Sequence, residues 1–286
     1  MNFSVLISLY FREKSSNFDE AFLSLWNNQS TKPTEIVLVL DGPIGNDLEV
    51  CVKKWKFLIG DALKIIPLVE NLGLGKALNE GLKYCKYEWI FRMDTDDICT
   101  PDRFEKQISY IKKHNDIVLF GGQILEFNEN PLDLNSLKFV PTLHNDILKY
   151  AKIRSPFNHV SVAFRKSIIK SVGGYHHHPM MEDYNLWLRI ISAGYKLGNL
   201  DDILLYVRVG NGMHAKRKGL QYIKSEKQLL DLKNKLKLQN PLYANMIFLV
   251  RSFFRLLPST VLEKFYNSFL RKKNDLKMVN NSETTH

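Results

Sequence analysis

Residues 35–42 read Glu-Ile-Val-Leu-Val-Leu-Asp-Gly, a short apolar run that ends in an acidic residue and a glycine. Because the run does not alternate between apolar and polar positions, it is typical of a strand covered on both faces. A similar run occupies residues 3–9, and apolar side chains between the two runs recur at helical spacing. Those side chains are Phe18, Phe22, Leu25 and Trp26. The segment therefore predicts a strand-helix-strand unit.

The same succession continues through the first hundred residues. Helical spacing follows residue 42, residues 64–68 and 89–93 resemble two more strands, and residues 75–85 resemble a helix between them. The order β-α-β-α-β-α-β implies right-handed crossovers and a mostly parallel α/β sheet. Beyond it we expect a helix to about residue 114, a strand at 117–120 and a less regular stretch to Gly174.

Acidic and polar side chains follow the predicted strands at their carboxyl ends, where an open parallel sheet binds ligands. Tyr10 follows the first strand, Asp41-Gly42 the second, Glu70-Asn71-Leu72-Gly73 the third and Asp94-Thr95-Asp96-Asp97 the fourth. Each piece alone has a plain alternative as a turn or a helix cap. Their coincidence on one edge of the sheet indicates a binding site.

Asp94 and Asp96 are the sharpest local signal for a metal. Two carboxylates one residue apart, on a turn after a buried strand, can share a hard divalent cation with diphosphate oxygens, so we expect Mn²⁺ or Mg²⁺. The glycine-rich residues 71–79 do not match the dinucleotide pattern, because Leu78 stands where its third glycine is needed. They do not match the P-loop pattern either, because Ala77 follows Lys76.

Taken together, these motifs resemble the family 2 glycosyltransferases, which have the nucleotide-diphospho-sugar transferase (GT-A) fold. The resemblance rests on Ser8-Leu9-Tyr10, residues 37–42, residues 71–79 and Met93-Asp94-Thr95-Asp96-Asp97, and later on Gly173-Gly174-Tyr175 and residues 181–189. It covers residues 1 to about 215 in the expected order, and it is greatest to O-antigen and amylovoran-type exopolysaccharide transferases. It implies a GT-A fold with a C-terminal helical extension.

The resemblance also implies roles for individual residues. Asp183 would be the catalytic base, and Asp94, Asp96 and His214 would hold the metal. Many relatives have an arginine where this chain has Leu78, so a contact to the base or the diphosphate is either missing here or made by Lys76 instead. The residues expected to bind the nucleotide-sugar are Ser8, Tyr10, Asp41, Asn71, Gly73, Lys76, Asn79 and Asp94.

Asp183 is a suitable base on physical grounds as well. Single displacement needs a carboxylate that takes the proton of the acceptor hydroxyl. Glu182 and Asp183 open a predicted helix over 182–193, whose N-terminal dipole favours negative charge. The alternative is that both are ordinary first-turn acids, and Glu182 is the second candidate for the base.

The acceptor side is less specific in sequence. His159, Trp187 and Arg189 are the acceptor-binding candidates, although a buried structural role is as plausible for His159. Residues 176–178 are three consecutive histidines, which cannot all reach one metal, so a solvated or acceptor-contacting loop is expected there.

Charge and cysteine content bear on the cellular compartment. Three widely spaced cysteines and the lack of a basic leader indicate a reducing cytoplasmic location without a secretory signal. Lys plus Arg and Asp plus Glu number 25 each in residues 1–214, but 15 and 5 in residues 215–286. The basic end could meet an anionic membrane or simply be a solvated surface.

The end of the chain is expected to be helical and amphipathic. We expect helices over 216–238, 242–257 and 259–270; in the second, Arg251 and Arg255 share a narrow stripe within an apolar surface. No run is long enough to span a bilayer, so this helix either lies in the headgroup plane or packs on the catalytic domain. The predicted division is a catalytic domain (1–215, with a donor half 1–98 and an acceptor half 99–215), an extension (216–273) and a disordered tail (274–286).

The function predicted from these features is inverting transfer of a sugar from a nucleotide-diphosphate sugar, UDP being the expected nucleotide. The expected acceptor is a saccharide on undecaprenyl diphosphate, in O-antigen or exopolysaccharide synthesis, at the cytoplasmic face of the bacterial inner membrane. A sugar nucleotidyltransferase and a non-catalytic nucleotide-binding module are the alternatives. Nucleic acid is not an expected partner, because the basic segment is interleaved with an apolar helix.

Overall fold

A computed structural model describes residues 1–128, 134–209 and 219–256. The first half contains β1 (Ser4–Leu9), α1 (Ser15–Phe22), a π-helical turn (Leu23–Asn27), β2 (Glu35–Leu40), α2 (Asn46–Ile59), a 3-10 turn (Gly60–Ala62), β3 (Leu63–Pro67), α3 (Leu74–Tyr84), β4 (Trp89–Arg92), β5 (Ile98–Cys99) and α4 (Arg103–Lys113). The rest contains β6 (Ile117–Phe127), β7 (Leu134–Lys138), α5 (His144–Ala151), a 3-10 turn (His159–Ser161), β8 (Ala163–Arg165), α6 (Lys166–Ser171), α7 (Glu182–Ser192), β9 (Lys196–Arg208), α8 (Gly219–Lys235) and α9 (Pro241–Leu256).

The first four strands form the parallel unit that the sequence predicts. They lie in the order β3-β2-β1-β4, and every neighbouring pair is parallel. Their observed ends agree with the predicted ones to within one residue. Side chains of β1 and β2 are buried on both faces of the sheet, which explains why their apolar runs do not alternate.

The second half of the sheet is mixed in direction. β8 pairs antiparallel to both β4 and β6, β9 runs parallel to β6, and β5 and β7 add antiparallel pairs. The stretch expected to be less regular therefore contains β7, β8, α5 and α6, and β6 extends seven residues beyond the predicted end at 120. β8 has only three residues and β9 carries polar residues, so both depend on partners distant in sequence rather than on a local pattern.

Hydrophobic clusters lie on the two faces of the sheet. On one face, Phe3, Phe91 and Phe104 pack together with ring centroids 4.5–5.7 Å apart, beneath α1, α2 and α4. On the other face, Leu78 of α3 and Trp187 of α7 are completely buried in the same cluster. This packing fixes α3 and α7, which carry the polar loops of the site, against one rigid sheet.

The C-terminal helices pack beside α7. Tyr222 and Leu229 of α8 join Met181, Tyr184 and Leu188 in a third cluster. α8 and α9 lie within the predicted helices over 216–238 and 242–257, apart from Pro241 at the start of α9. The predicted helix over 259–270 and the predicted tail over 274–286 lie outside the described residues. Within the described ranges no helix is long and apolar enough to cross a membrane.

Candidate active site

Asp41 organises the loop after β3. Its carboxylate accepts hydrogen bonds from the backbone N–H of Leu72 at 2.7 Å and of Gly73 at 3.1 Å, and its carbonyl accepts one from Asn71 at 3.1 Å. Gly42 has a φ of +87°, and a Cβ there would lie 2.7 Å from the Asn71 nitrogen, so only glycine fits. Asp41 thus holds the glycine-rich loop in place, and its predicted nucleoside contact must use the remaining lone pairs of its carboxylate.

The acidic cluster follows β4. Ligand oxygens of Asp94, Asp96 and Asp97 all lie within 4.8 Å of one another, a separation that one ion can bridge. An all-oxygen donor set suits a hard cation such as Mg²⁺ or Mn²⁺. Asp97, which the sequence analysis did not assign to the metal, is buried; one carboxylate oxygen accepts the Arg208 N–H at 3.1 Å, and the other has no hydrogen-bond partner among the described residues.

The protonation of this cluster reflects its burial. Burial, with the neighbouring charges of Asp94 and Glu13, raises the pKa of Asp96 to about 7. Burial and the charges of Asp96 and Asp94 raise the pKa of Asp97 well above its usual range. Without a bound cation, Asp96 and Asp97 therefore tend to retain protons near neutral pH, and a divalent cation is the kind of group that would displace them.

Two buried arginines lie beneath the acidic cluster. Arg92 is completely buried, and its Nη2 lies 2.5 Å from a carboxylate oxygen of Asp94. Arg103, also completely buried, donates to the backbone carbonyl of Arg92 at 2.6 Å. The sequence analysis assigned neither residue. Arg92 occupies the strand position two before Asp94, which is a signal that could have been noticed.

The other predicted donor-side residues differ in their surroundings. Tyr10 and Lys76 are exposed and Ser8 is half-buried, so the three remain available to a ligand. Asn79 is not free in this way: its amide donates to the Tyr175 carbonyl and accepts from the Tyr175 N–H, both at 2.8 Å. Its observed role is to join α3 to the Gly173-Gly174-Tyr175 loop. Leu78 points into the core and cannot replace the arginine of relatives.

Asp183 and Glu182 begin α7, as predicted, but they differ in position. Asp183 lines a cleft of about 620 Å³ that also contains Asp94, Asp96 and Asp97. Glu182 is not among its lining residues; it lies beside Gly75 of α3, where burial raises its pKa. A cleft of this volume accommodates a small-molecule ligand. Of these two acids, only Asp183 therefore faces the cleft.

His159, the acceptor-side histidine, lines the same cleft. Its Nε2 lies 2.9 Å from the Tyr175 hydroxyl, and burial together with the Arg92 charge lowers its pKa well below the usual range. His159 is therefore a neutral polar group at neutral pH. Trp187 lies behind it, with the two ring centroids 5.8 Å apart.

The structure does not support acceptor roles for Trp187 and Arg189. Trp187 is completely buried in the core, and neither residue lines the cleft. Arg189 donates to Asn185 at 2.9 Å and to the carbonyls of Val172 and Gly174. Trp187 supports His159 from behind, and Arg189 connects α7 to the preceding glycine-rich loop. Helical spacing identified their helix but not which of its sides faces the cleft.

The three consecutive histidines differ in how deeply they are buried. His176 and His177 are exposed, as expected of a solvated loop, but His178 is completely buried. Its Nε2 lies 2.8 Å from the Ser225 carbonyl of α8, and its Nδ1 lies 3.1 Å from the Asn185 amide. His178 therefore fastens the loop before Asp183 to α8. His214, the predicted third metal ligand, lies outside the described residues.

Comparison with known proteins decides the family. Residues 4–173 match the family described as glycosyl transferase family 2. This chain is a family 2 glycosyltransferase. Among its relatives is the amylovoran biosynthesis glycosyltransferase AmsE of Erwinia amylovora, 48% identical over 92% of this chain and 97% of the relative. Another is the UDP-Gal:alpha-D-GlcNAc-diphosphoundecaprenol beta-1,3-galactosyltransferase of Escherichia coli, 34% identical over 94% and 97%.

Solved structures confirm the GT-A fold of this glycosyltransferase. S. aureus TarS 1–349 in complex with UDP-GlcNAc superposes with a TM-score of 0.62, at 18% identity over 88% of this chain and 73% of that one. The mannosyltransferase PcManGT of Pyrobaculum calidifontis, in complex with GDP-Man and Mn²⁺, gives a TM-score of 0.60 at 18% identity, over 88% and 69%.

The arginine stripe of α9 in this glycosyltransferase faces inward. Arg251 donates through two nitrogens to the Glu226 carboxylate at 2.7 and 2.8 Å, and through a third to the Ile153 carbonyl at 2.6 Å. Glu226 is buried, and Arg255 stacks on the Tyr222 ring with 4.4 Å to its centroid. The apolar side of α9 faces outward; its exposed members are Leu242, Met246, Leu249, Val250, Phe253 and Leu256.

Proposed function

We propose that this glycosyltransferase is metal-dependent and inverting, and that it transfers a hexose from a UDP-sugar to a saccharide on undecaprenyl diphosphate in O-antigen or exopolysaccharide synthesis. The observation that carries the proposal is that one cleft contains both the acidic cluster of Asp94, Asp96 and Asp97 and the carboxylate of Asp183. The first group suits a cation with a diphosphate, and the second suits deprotonation of an acceptor.

Asp94 and Asp96, together with Asp97, would hold the Mn²⁺ or Mg²⁺ ion. When bound, the ion neutralises charge on the departing nucleoside diphosphate. The chain's own part is to keep the carboxylates in place: Arg92 holds Asp94 from below, and the Arg208 backbone holds Asp97. His214 remains a proposed further ligand of the ion.

Asp183 would act as the base. Its carboxylate takes the proton of the acceptor hydroxyl while the hydroxyl oxygen forms a bond to the anomeric carbon of the donor. The bond between that carbon and the diphosphate oxygen breaks on the opposite face, and the electron pair leaves with the diphosphate. The product therefore has inverted anomeric configuration.

The donor would lie along the edge formed by the loops after β1, β2 and β3. Ser8, Tyr10 and Asp41 would contact the nucleoside, with Asn71 and Gly73 in the loop that Asp41 holds; Lys76 would meet the diphosphate and Asp94 the ribose. Asn79 acts by positioning α3, as its bonds to Tyr175 indicate. UDP is supported by the UDP-Gal in the name of the Escherichia coli relative.

The acceptor and the membrane are proposed together. The Escherichia coli relative is named for a diphosphoundecaprenol acceptor, and α9 exposes an apolar side next to the cleft. We propose that α9 lies on the anionic cytoplasmic face of the bacterial inner membrane, with apolar side chains toward lipid and Arg251 and Arg255 toward the protein. Residues 1–98 would bind the donor, 99–215 the acceptor, and 216–273 would form the membrane-associated extension.

A transfer assay tests this proposal. UDP-, GDP- and dTDP-sugars are each incubated with GlcNAc-diphospholipid acceptors in Mn²⁺, in Mg²⁺ and in chelator, and products are separated by chromatography. We expect transfer from a UDP-sugar with metal and none in chelator. Full activity in chelator would refute the metal assignment, and synthesis of a nucleotide-sugar instead of a glycoside would identify a nucleotidyltransferase.

A further inference from the structure

The cleft is also lined by residues that differ in chemistry from its acidic cluster. Five of these lining residues, which we call the rim, are Ile153, Arg154, Met180, Val250 and Phe254. The first two follow α5, the third precedes α7, and the last two belong to α9. The rim thus brings together three segments far apart in the chain, and the same continuous cavity connects it to Asp183.

Arg154 is the charged member of the rim. Its guanidinium lies over the Tyr150 ring, 5.3 Å from the centroid, and no carboxylate in the described parts of the chain forms an ion pair with it. The neighbouring cation Arg251 is different, because three of its nitrogens are bonded to Glu226 and to the Ile153 carbonyl. Arg154 is therefore a half-buried cation in a ligand cleft with capacity for an anionic partner.

The other four rim residues are apolar, and three of them are exposed. Ile153, Met180 and Val250 expose 47%, 40% and 51% of their surfaces. Met180 also has a φ of +64°, a conformation that is rare for side-chain-bearing residues and is concentrated at functional positions. Along α9, Met246 and Phe253 are spaced by one helical turn on either side of Val250 and are also exposed, so the apolar surface continues outward from the rim.

A cation surrounded by apolar surface matches an amphiphile with an anionic head. We infer that the rim binds the diphosphate of the lipid-linked acceptor through Arg154 and the first isoprenoid units of its lipid through Ile153, Met180 and Val250. This inference rests on the proposed function and deepens it. The saccharide then extends inward toward Asp183, and the lipid leaves along α9. The occupant is the acceptor's own lipid rather than the bilayer, because the rim belongs to the cleft.

Acceptor kinetics test the inference through Arg154→Gln. Three acceptors carry GlcNAc on farnesyl diphosphate, on methyl diphosphate, or on farnesol through an ether. We expect Arg154→Gln to raise KM about tenfold for the two diphosphates, since a hydrogen bond to a charged group is lost, and to leave KM for the ether and for the donor unchanged. Lys152→Gln is the matched control, because Lys152 is exposed and does not line the cleft.

Direct binding gives a measurement that does not need turnover. Farnesyl diphosphate is titrated in chelator, so that the acidic cluster cannot hold its diphosphate through a metal. Wild type and Lys152→Gln should bind it equally, and Arg154→Gln should bind about tenfold more weakly. Val250→Asn, a neutral change at an exposed position that folding should tolerate, should weaken the binding of farnesyl diphosphate but not the binding of methyl diphosphate.

The possible failures can be told apart. Equal farnesyl diphosphate affinity in wild type and Arg154→Gln would overturn the rim assignment, whether or not transfer occurs. Weaker binding by Arg154→Gln together with the absence of transfer from every donor would retain the rim as an amphiphile site and refute the proposed transferase reaction. If Val250→Asn loses farnesyl diphosphate binding and Arg154→Gln does not, lipid contact alone provides the affinity, and the diphosphate assignment is contradicted.

Discussion

The parallel unit of β1–β4 and the C-terminal pair α8–α9 are built in different ways. In β1–β4, apolar side chains fill both faces of the sheet, and polar groups are kept at the strand ends, where Asp41 binds the next loop. α8–α9 instead places charge inside: buried Glu226 holds Arg251, while apolar side chains face outward. The first arrangement is stabilised by close packing of apolar side chains. The second depends on ion pairs, in which the loss of one charged side chain leaves its partner unpaired.

The largest effect is expected where the two regions meet, at Asp183. Asp183→Asn keeps the size of the side chain but cannot take a proton, so kcat should fall by roughly 10²–10⁴ while nucleotide affinity is retained. Glu182→Gln is the matched control and should keep most activity, since Glu182 does not line the cleft. Steady-state kinetics measure kcat, and calorimetry measures UDP affinity. An active Asp183→Asn together with an inactive Glu182→Gln would assign the base to Glu182.

The ion-paired region is tested by Glu226→Gln. Removing one member of a buried pair destabilises by roughly 3–5 kcal/mol, and here it leaves Arg251 without its partner. We expect amide exchange in α9 to accelerate strongly while β1–β4 remains protected. Glu80→Gln breaks a largely exposed pair with Lys83 and should change stability by less than about 1 kcal/mol. Unchanged exchange in α9 of Glu226→Gln would show that packing, rather than charge, attaches the helix.

The contact between α3, which packs on the parallel unit, and the loop before α7 is tested by Gly174→Ala. Gly174 has a φ of +69°, and a Cβ would lie 2.6 Å from the Asn79 amide oxygen, so both backbone strain and a clash with the α3 tether are expected. Gly194 has a φ of +79° with nothing within 4 Å of its Cβ position. Gly194→Ala should therefore lower the free energy of unfolding by about 1 kcal/mol, because of its left-handed backbone conformation. Gly174→Ala should lower it measurably more, as urea unfolding would show. Equal losses would remove the steric part of this explanation.

A smaller effect is expected in the pH dependence of stability. Burial lowers the pKa of His178, so the unfolded chain binds a proton that the folded chain does not. Stability should therefore fall as pH decreases below about 6.5, the ordinary pKa of histidine. His178→Gln should make the fall between pH 7 and 5 shallower, with His159 accounting for part of the remainder because its pKa is also lowered. If the stability of His178→Gln falls with decreasing pH as steeply as that of the wild type, this account of the contact between His178 and α8 is contradicted.

Sequence patterns predicted the parallel unit β1–β4 far better than the C-terminal pair α8–α9. The four parallel strands, the acidic cluster and the start of α7 are encoded within short segments, and all were placed correctly. Arg251 was found on a stripe, but a helical wheel cannot tell which side of a helix is buried, and that depended on Glu226, 25 residues earlier. Asn79 is 96 residues from its partner Tyr175, so its tethering role was equally hidden.

The stereochemistry of transfer tests the central claim most directly. If Asp183 deprotonates the acceptor for a single displacement in this cleft, a donor whose sugar is joined to UDP as the α-anomer must give a β-linked product. The anomeric proton coupling of the purified product, measured by nuclear magnetic resonance, decides this. A β-linkage is the predicted result, and an α-linkage from the same donor would contradict both the inverting mechanism and the role of Asp183.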